Sequence, residues 1–154
     1  MLKAKSLTFQ YFENAKQPIF ERLDFEIPPG EITLLTGKSG SGKSTLAYIL
    51  AGLYPENGGF LREGEVTWDD MDIHALTPNK RVAYVSMMFQ NPDLQFCMNN
   101  LENELLFCLE NIGVPESERA ARVDQVVDSI RIRHLLTHNF HAMSGGEKQN
   151  CRYD

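Results

Sequence analysis

Residues 37–45, Gly37-Lys38-Ser39-Gly40-Ser41-Gly42-Lys43-Ser44-Thr45, constrain this chain more than any other stretch. They satisfy G-x-x-x-x-G-K-[ST], with Gly37, Gly42, Lys43 and Ser44 at the required spacing. The run before them, Glu31-Ile32-Thr33-Leu34-Leu35-Thr36, is apolar and β-branched and predicts a buried strand. The run after them, Leu46-Ala47-Tyr48-Ile49-Leu50-Ala51, predicts a helix stopped by Gly52. Strand, glycine loop and helix together point to an α/β core. Glycines at 37, 40 and 42 let successive N–H groups turn toward one point, and the helix opening near Gly42 adds its unpaired N–H groups and positive dipole end. Such a cradle suits a phosphate chain. Lys43 is placed to reach β- and γ-phosphates as a point charge, and the Ser44 hydroxyl to hold a magnesium ion that bridges phosphate oxygens.

Composition narrows the partners. The chain has 154 residues, 42% of them hydrophobic and 23% charged, which suits one globular domain with a real core. A net charge of -6 and a pI near 5.2 argue against an obligatory nucleic-acid partner, which needs a basic face. No apolar run approaches the ~20 residues of a spanning helix, and Met1-Leu2-Lys3-Ala4-Lys5 has no apolar segment of signal-peptide type behind it. A cytoplasmic chain that does not itself insert into a membrane is expected. Cys97, Cys108 and Cys151 show no C-x-x-C spacing, so buried or partly buried thiols are expected rather than disulfides or zinc ligands. His134 and His138 stand four apart without a third ligand at helical spacing, and with His74 and His141 they read as solvated or capping side chains. Asp69-Asp70-Met71-Asp72 reads as an exposed acidic turn rather than a metal loop.

Taken in order, residues 2–9 and 19–27 alternate as strands around a polar turn at 13–18 and predict an antiparallel hairpin. At its end stands Phe9-Gln10-Tyr11-Phe12, where an aromatic packed on the core and one stacked on a base are both open. Gly64-Glu65-Val66-Thr67-Trp68 predicts a further strand. Arg81 to Phe89 reads as a second buried strand ended by Gln90-Asn91-Pro92, which puts Gln90 where α/β proteins bind ligands. Leu101, Leu105, Leu106 and Leu109 mark one helix closed by Gly113 and Pro115, and Val123, Val126, Val127 and Ile130 mark another over about 116–130. Ser144-Gly145-Gly146-Glu147 then reads as a capped helix start, an ordinary N-cap or a second anion site.

The phosphate loop, Phe89-Gln90-Asn91-Pro92 and Met143-Ser144-Gly145-Gly146-Glu147 together resemble the ATP-binding subunits of ABC transporters over residues 3 to about 150. Within that family, the stretches Phe89 to Phe96 and Glu102-Asn103-Glu104-Leu105-Leu106-Phe107 are similar to the energy-coupling-factor and cobalt-type importers of vitamins and metal ions. The resemblance implies a phosphate-loop NTPase fold, α/β, with an antiparallel β-subdomain and phosphate-loop core over about 1–92 and a helical subdomain over about 93–150. It implies ATP and Mg2+ as cofactors. Tyr11 matches the aromatic that stacks on adenine; Gly37, Lys38, Ser39, Gly40, Ser41, Gly42, Lys43, Ser44 and Thr45 hold the phosphates. Gln90 matches the glutamine that senses magnesium and the γ-phosphate, so Ser44 and Gln90 are the metal-side residues. Ser144, Gly145, Gly146 and Glu147 match the signature that clamps nucleotide held by a second ATP-binding subunit, identical or not. Met143 and Glu147 stand in for the commoner Leu and Gln. A transmembrane coupling subunit completes the expected assembly, with the chain peripheral to the membrane on its cytoplasmic side.

Members of the family continue for about 80–100 residues beyond the signature, within ordinary domain size. Those residues carry the acidic strand end that holds magnesium, the general base beside it and a histidine at the γ-phosphate. After Gly146 this sequence has only Glu147 to Asp154, so none of these catalytic residues is present, and His134, His138 and His141 precede the signature. The resemblance further implies that two later strands lie between the phosphate-loop strand and the Gln90 strand, a gap of about 14 Å at ~4.8 Å per step. Their absence predicts exposed edges and apolar faces, a shortened or interrupted product, and ATP binding without efficient hydrolysis. A non-catalytic nucleotide-binding partner is the alternative, and a gene fragment without function another. A small phosphate-loop kinase fits the length, but no Arg-rich lid follows Gln90. Chromosome and repair ATPases need long heptad insertions, which this sequence lacks.

Overall fold

The computed structural model describes residues 1–91 and 95–151, with the backbone alone at 149 and 150. Pro92, Asp93 and Leu94 of the Phe89 to Phe96 stretch, and Arg152 to Asp154, lie outside the described residues. The chain divides into two compact units, Met1–Met87 and Met88–Asp154.

The first unit is built on an antiparallel sheet in the order β2-β1-β3-β4. Its strands are β1 (Leu2–Gln10), β2 (Phe20–Ile27), β3 (Phe60–Trp68) and β4 (Met71–Asp72). The expected hairpin is β1 with β2, in the register Leu2 to Ile27 and Phe9 to Phe20. β1 buries Leu2 and Ala4 and then Leu7 and Phe9, a change of phase that a plain alternation forbids. The extra residue is taken up at Ser6, with φ +51°, where pairing with both neighbours shifts between Ala4 and Thr8. Bulging there keeps both halves of the strand facing the core. The sheet passes directly over the bulge at Gly64, where a Cβ would lie 2.5 Å from the Lys5 carbonyl oxygen. Asp69 and Asp70, both at positive φ, make the tight two-residue turn from β3 to β4, a conformation Asp tolerates. The expected acidic turn is therefore the tip of a hairpin. Helix α1 (Lys43–Leu50) completes the core, setting Leu46 and Ile49 against Leu7, Phe9, Val66 and Ile73.

Two expected strands are absent. Residues 31–38 form no regular structure, and Ile32, Leu34 and Leu35 are 101%, 83% and 50% exposed. A strand exists through its ladder, and no described strand pairs with this segment. The second segment begins instead as a short helix, α2 (Pro78–Arg81), because Pro78 supplies a helical φ at the first position. The turn continues to Tyr84, whose N–H donates to the Arg81 carbonyl at 2.9 Å, and residues 85–89 take no regular structure. Val82 and Tyr84 are exposed. Arg81 is buried, its guanidinium donating to the carbonyls of Ile73, Gly52 and Leu76 and to Glu56.

The second unit is helical. Helix α3 (Leu101–Asn111) is capped by Asn100, whose side chain accepts from the Asn103 N–H at 2.9 Å; it ends as Gly113 takes φ +83°. Helix α4 (Glu116–Ser129) follows. Leu101 and Leu105 meet Val123 and Val127 in one core with Ile132, Leu135, Phe140 and Met143; of the other residues on the expected apolar faces, Leu106, Leu109 and Ile130 are partly buried against it and Val126 is half-buried. The chain from 95 to 100 is fastened to the segment that leads toward Ser144. Phe96 stacks on Phe140 at 3.8 Å, the Phe140 N–H donates to the Asn99 carbonyl at 3.0 Å, and Asn100 bridges Asn139. The buried Glu104 carboxylate accepts from the Cys97 and Met98 N–H groups at 2.9 and 2.7 Å. Cys151 is buried, but Cys97 and Cys108 are exposed, against expectation. Helix α5 (Gly145–Asn150) closes the described chain.

Candidate functional site

In the first unit, the loop of residues 37–42 leads into the first turn of α1, with Gly42 as the cap residue at φ +88° and ψ 8°. Only glycine enters a helix this way without strain, and the space is closed as well: a Cβ at Gly42 would lie 2.8 Å from Phe20 Cζ and 2.9 Å from Ile19 Cγ2. The hairpin end therefore rests directly on the mouth of the loop. Lys43 folds back over the loop, its Nζ donating to the Gly37 and Lys38 carbonyls at 2.8 Å each. The Ser41 N–H donates to the Lys38 carbonyl at 3.2 Å, tightening the same turn. Lys38, Ser39, Gly40 and Ser41 are exposed. The ammonium thus sits over a ring of backbone at the positive end of α1, and one of its three donors is left over for an anion.

Thr45 is buried in the first turn of α1, and its Oγ1 lies 2.5 Å from the Tyr11 hydroxyl. The structure thereby brings Tyr11 to the phosphate loop. Its ring meets Phe9 edge-on at 5.6 Å and Tyr54 edge-on at 6.0 Å, yet the residue stays 39% exposed. Phe9 and Tyr54 stack on each other at 5.6 Å, and Tyr48 packs across Tyr54. Burial, then Tyr11 and Tyr48, push the Tyr54 phenol above its ordinary pKa, so Tyr54 is neutral at physiological pH. Tyr11 is thus packed against the core aromatics and also exposed beside the loop.

The residues fit a magnesium-bound phosphate chain as far as they go. Ser44 is exposed in the first turn of α1, and among the described residues no hydrogen bond is formed by its hydroxyl. A hydroxyl oxygen suits magnesium, which takes most of its remaining ligands from phosphate and water.

Gln90 and the signature residues belong to the second unit. Gln90 is exposed; beside it the Phe89 N–H donates to Gln95 Oε1 at 3.3 Å. Ser144 and Glu147 form a reciprocal cap. The Ser144 hydroxyl and N–H donate to Glu147 Oε2 at 2.6 and 2.8 Å, and the Glu147 N–H donates to Ser144 Oγ at 3.3 Å. The Ser144 hydroxyl, then its N–H, then His138 and His134, hold the Glu147 carboxyl below its ordinary pKa. Among the described residues, a Cβ at Gly145 or Gly146 would meet nothing within 4 Å. Sequence reasoning overlooked Arg81 and Glu104, whose roles depend on carbonyls and N–H groups no motif announces.

Among the described residues no helix is long and apolar enough to cross a membrane. Residues 20–152 match the ABC transporter family model. The chain is 39% identical over 150 residues to YkoD of Bacillus subtilis, named as a proposed HMP/thiamine import ATP-binding protein; the match covers 97% of this chain and 27% of that protein. It is 35% identical over 155 residues to the energy-coupling factor transporter ATP-binding protein EcfA1 of Bacillus licheniformis, covering 97% of this chain and 51% of the relative. The structure of cbiO1 from Clostridium perfringens, part of the ABC transporter complex cbiONQ, superposes with a TM-score of 0.77 at 26% identity; the match covers 97% of this chain and 58% of that one. The chain thus spans about a quarter to half of the curated relatives it matches. Its antiparallel sheet and helices correspond to part of the ABC ATPase fold, and the chain belongs to the ATP-binding family of ABC transporters, among relatives of the energy-coupling-factor type.

Proposed function

We propose that this chain is the nucleotide-binding portion of an importer ATPase of the energy-coupling-factor or cobalt type, which takes up a vitamin or metal ion. The observation that carries the reading is the Lys43 ammonium held over the Gly37 and Lys38 carbonyls at the opening of α1. Gly37 to Thr45 cradle the phosphates of ATP, with Lys38, Ser39 and Ser41 supplying backbone N–H groups. Tyr11 meets the base, and Ser44 and Gln90 take magnesium, which neutralises phosphate charge when bound. Ser144, Gly145, Gly146 and Glu147 face nucleotide on a second ATP-binding subunit. The space at Gly145 and Gly146, open among the described residues, supports this: packing against those residues does not require glycine there, whereas close approach by another molecule does. The transmembrane coupling subunit would hold the chain at the cytoplasmic face of the membrane. The acidic strand end and general base that the family resemblance puts beyond the signature are not among Glu147 to Asp154, so on this reading residues 1–154 by themselves bind ATP and hydrolyse it slowly.

A second reading has its own support. The exposure of Ile32, Leu34 and Leu35 favours a chain that works only with further polypeptide over that segment, as a non-catalytic partner does. Sedimentation of the chain mixed with the full-length B. licheniformis relative tests both. ATP-dependent association that is lost in Ser144→Arg supports the signature role; association indifferent to ATP and to Ser144 contradicts it.

A further inference from the structure

Gln10, the last residue of β1, is a buried polar side chain to which the nucleotide reading gives no task. Its amide Nε2 donates to the Phe12 and Glu13 carbonyls, both at 2.7 Å. The Arg62 guanidinium on β3 donates to the same Glu13 carbonyl and lies 5.8 Å above the Phe60 ring. The Ala15 N–H donates to the Phe12 carbonyl at 3.0 Å, and the Ile19 N–H to the Phe9 carbonyl at 2.7 Å, which closes the loop at its base. Carbonyls in an exposed turn are ordinarily satisfied by water. Here the turn after Tyr11 is clamped from beneath by a buried amide, although Phe12 itself is 75% exposed. Tyr11 is the residue spanned by the clamp. Its backbone lies between Gln10 and the bonded carbonyls, its ring edge is set by Phe9 and Tyr54, and its hydroxyl is tied to Thr45.

We infer that Gln10 is a positioning residue for recognition of the nucleotide base, acting through Tyr11. It fixes the Phe12 and Glu13 turn so that the Tyr11 ring already stands beside the first turn of α1 when nucleotide arrives. Fixing the ring in advance removes an ordering cost from binding. The inference rests on the reading of Gly37 to Thr45 as a nucleotide site, and it concerns affinity for the base, leaving the phosphate contacts alone.

The test compares ATP with inorganic tripolyphosphate, which shares the phosphate chain and lacks base and ribose, in calorimetric titrations of the full chain. Gln10→Met keeps the buried volume without the donors, and Gln10→Ala removes both. The expected result is a loss of about 5–20-fold in ATP affinity, the scale of one or two hydrogen bonds, with tripolyphosphate affinity held within about twofold. Tyr11→Ala should show the same selective loss, and adding Gln10→Met to it should lower ATP affinity no further. A proportional loss for both ligands assigns Gln10 to the fold alone and overturns the inference. So do unchanged ATP affinity, additive losses in the double variant, or loss of the folded state in both Gln10 variants. If the unaltered chain binds neither ligand, the nucleotide-site reading itself falls, an outcome distinct from the others.

Discussion

Gly42→Ala tests the fit between the hairpin and the phosphate loop. Alanine at φ +88° costs about 1–2 kcal/mol in backbone strain. The new methyl would stand 2.8 Å from Phe20 Cζ and 2.9 Å from Ile19 Cγ2, closer than carbon atoms approach one another. Ile19 is 42% exposed and can swing aside; Phe20 packs against the first unit's core and cannot do so freely. Forcing that ring out costs about 1–3 kcal/mol, so the total is about 2–5 kcal/mol. Trp68, the only tryptophan, lies in β3, so urea unfolding followed by its fluorescence reports on this unit alone. The expected result is a lower midpoint with an unchanged slope, and ATP affinity reduced because Lys43 is displaced. Adding Phe20→Leu should recover the steric part and leave the backbone part. An unchanged midpoint in Gly42→Ala would refute the idea that the hairpin seats on the loop through this glycine.

Two further outcomes follow from buried and capping groups. Arg81→Met leaves the carbonyls of Gly52, Ile73 and Leu76 without their donor and should destabilise the first unit by about 3–4 kcal/mol in the same urea assay, with Arg81→Lys recovering little because an ammonium cannot span the fork. Glu147 titrates below the ordinary carboxylate range because Ser144 donates to it, so its cap on α5 is fully present above that range and is lost as pH falls through the lowered value. Carbon NMR should place the Glu147 carboxyl titration low in the unaltered chain and return it toward the ordinary range in Ser144→Ala.

What was legible in the sequence was whatever pairs locally. The hairpin of β1 and β2, the faces of α3 and α4, and the turn of the phosphate loop into α1 all depend on residues close in the chain, and their periodicity shows in the residues themselves. Residues 31–36 carry equal strand propensity, but a strand also needs a neighbour, and the described sheet offers none. At 81–89 the pattern hid two competing facts: Pro78 starts a helix, and Arg81 is drawn into a buried set of carbonyls rather than opening a strand. The Ser6 bulge was not foreseen, though the odd spacing of Leu2, Ala4, Leu7 and Phe9 announces it. At the site, the glycines and Lys43 could be read directly because backbone geometry dictates them. Gln10 could not, since its partners are carbonyls that any sequence supplies.

Calorimetric titration of ATP with magnesium into the full chain and into Lys43→Met tests the central claim most directly. Saturable binding at one site, weakened about 10–150-fold by removal of the ammonium, is the predicted result, on the scale of a charge-assisted hydrogen bond to phosphate. ATP binding of equal affinity in Lys43→Met, or none in the unaltered chain, would contradict the assignment of Gly37 to Thr45 as the nucleotide site.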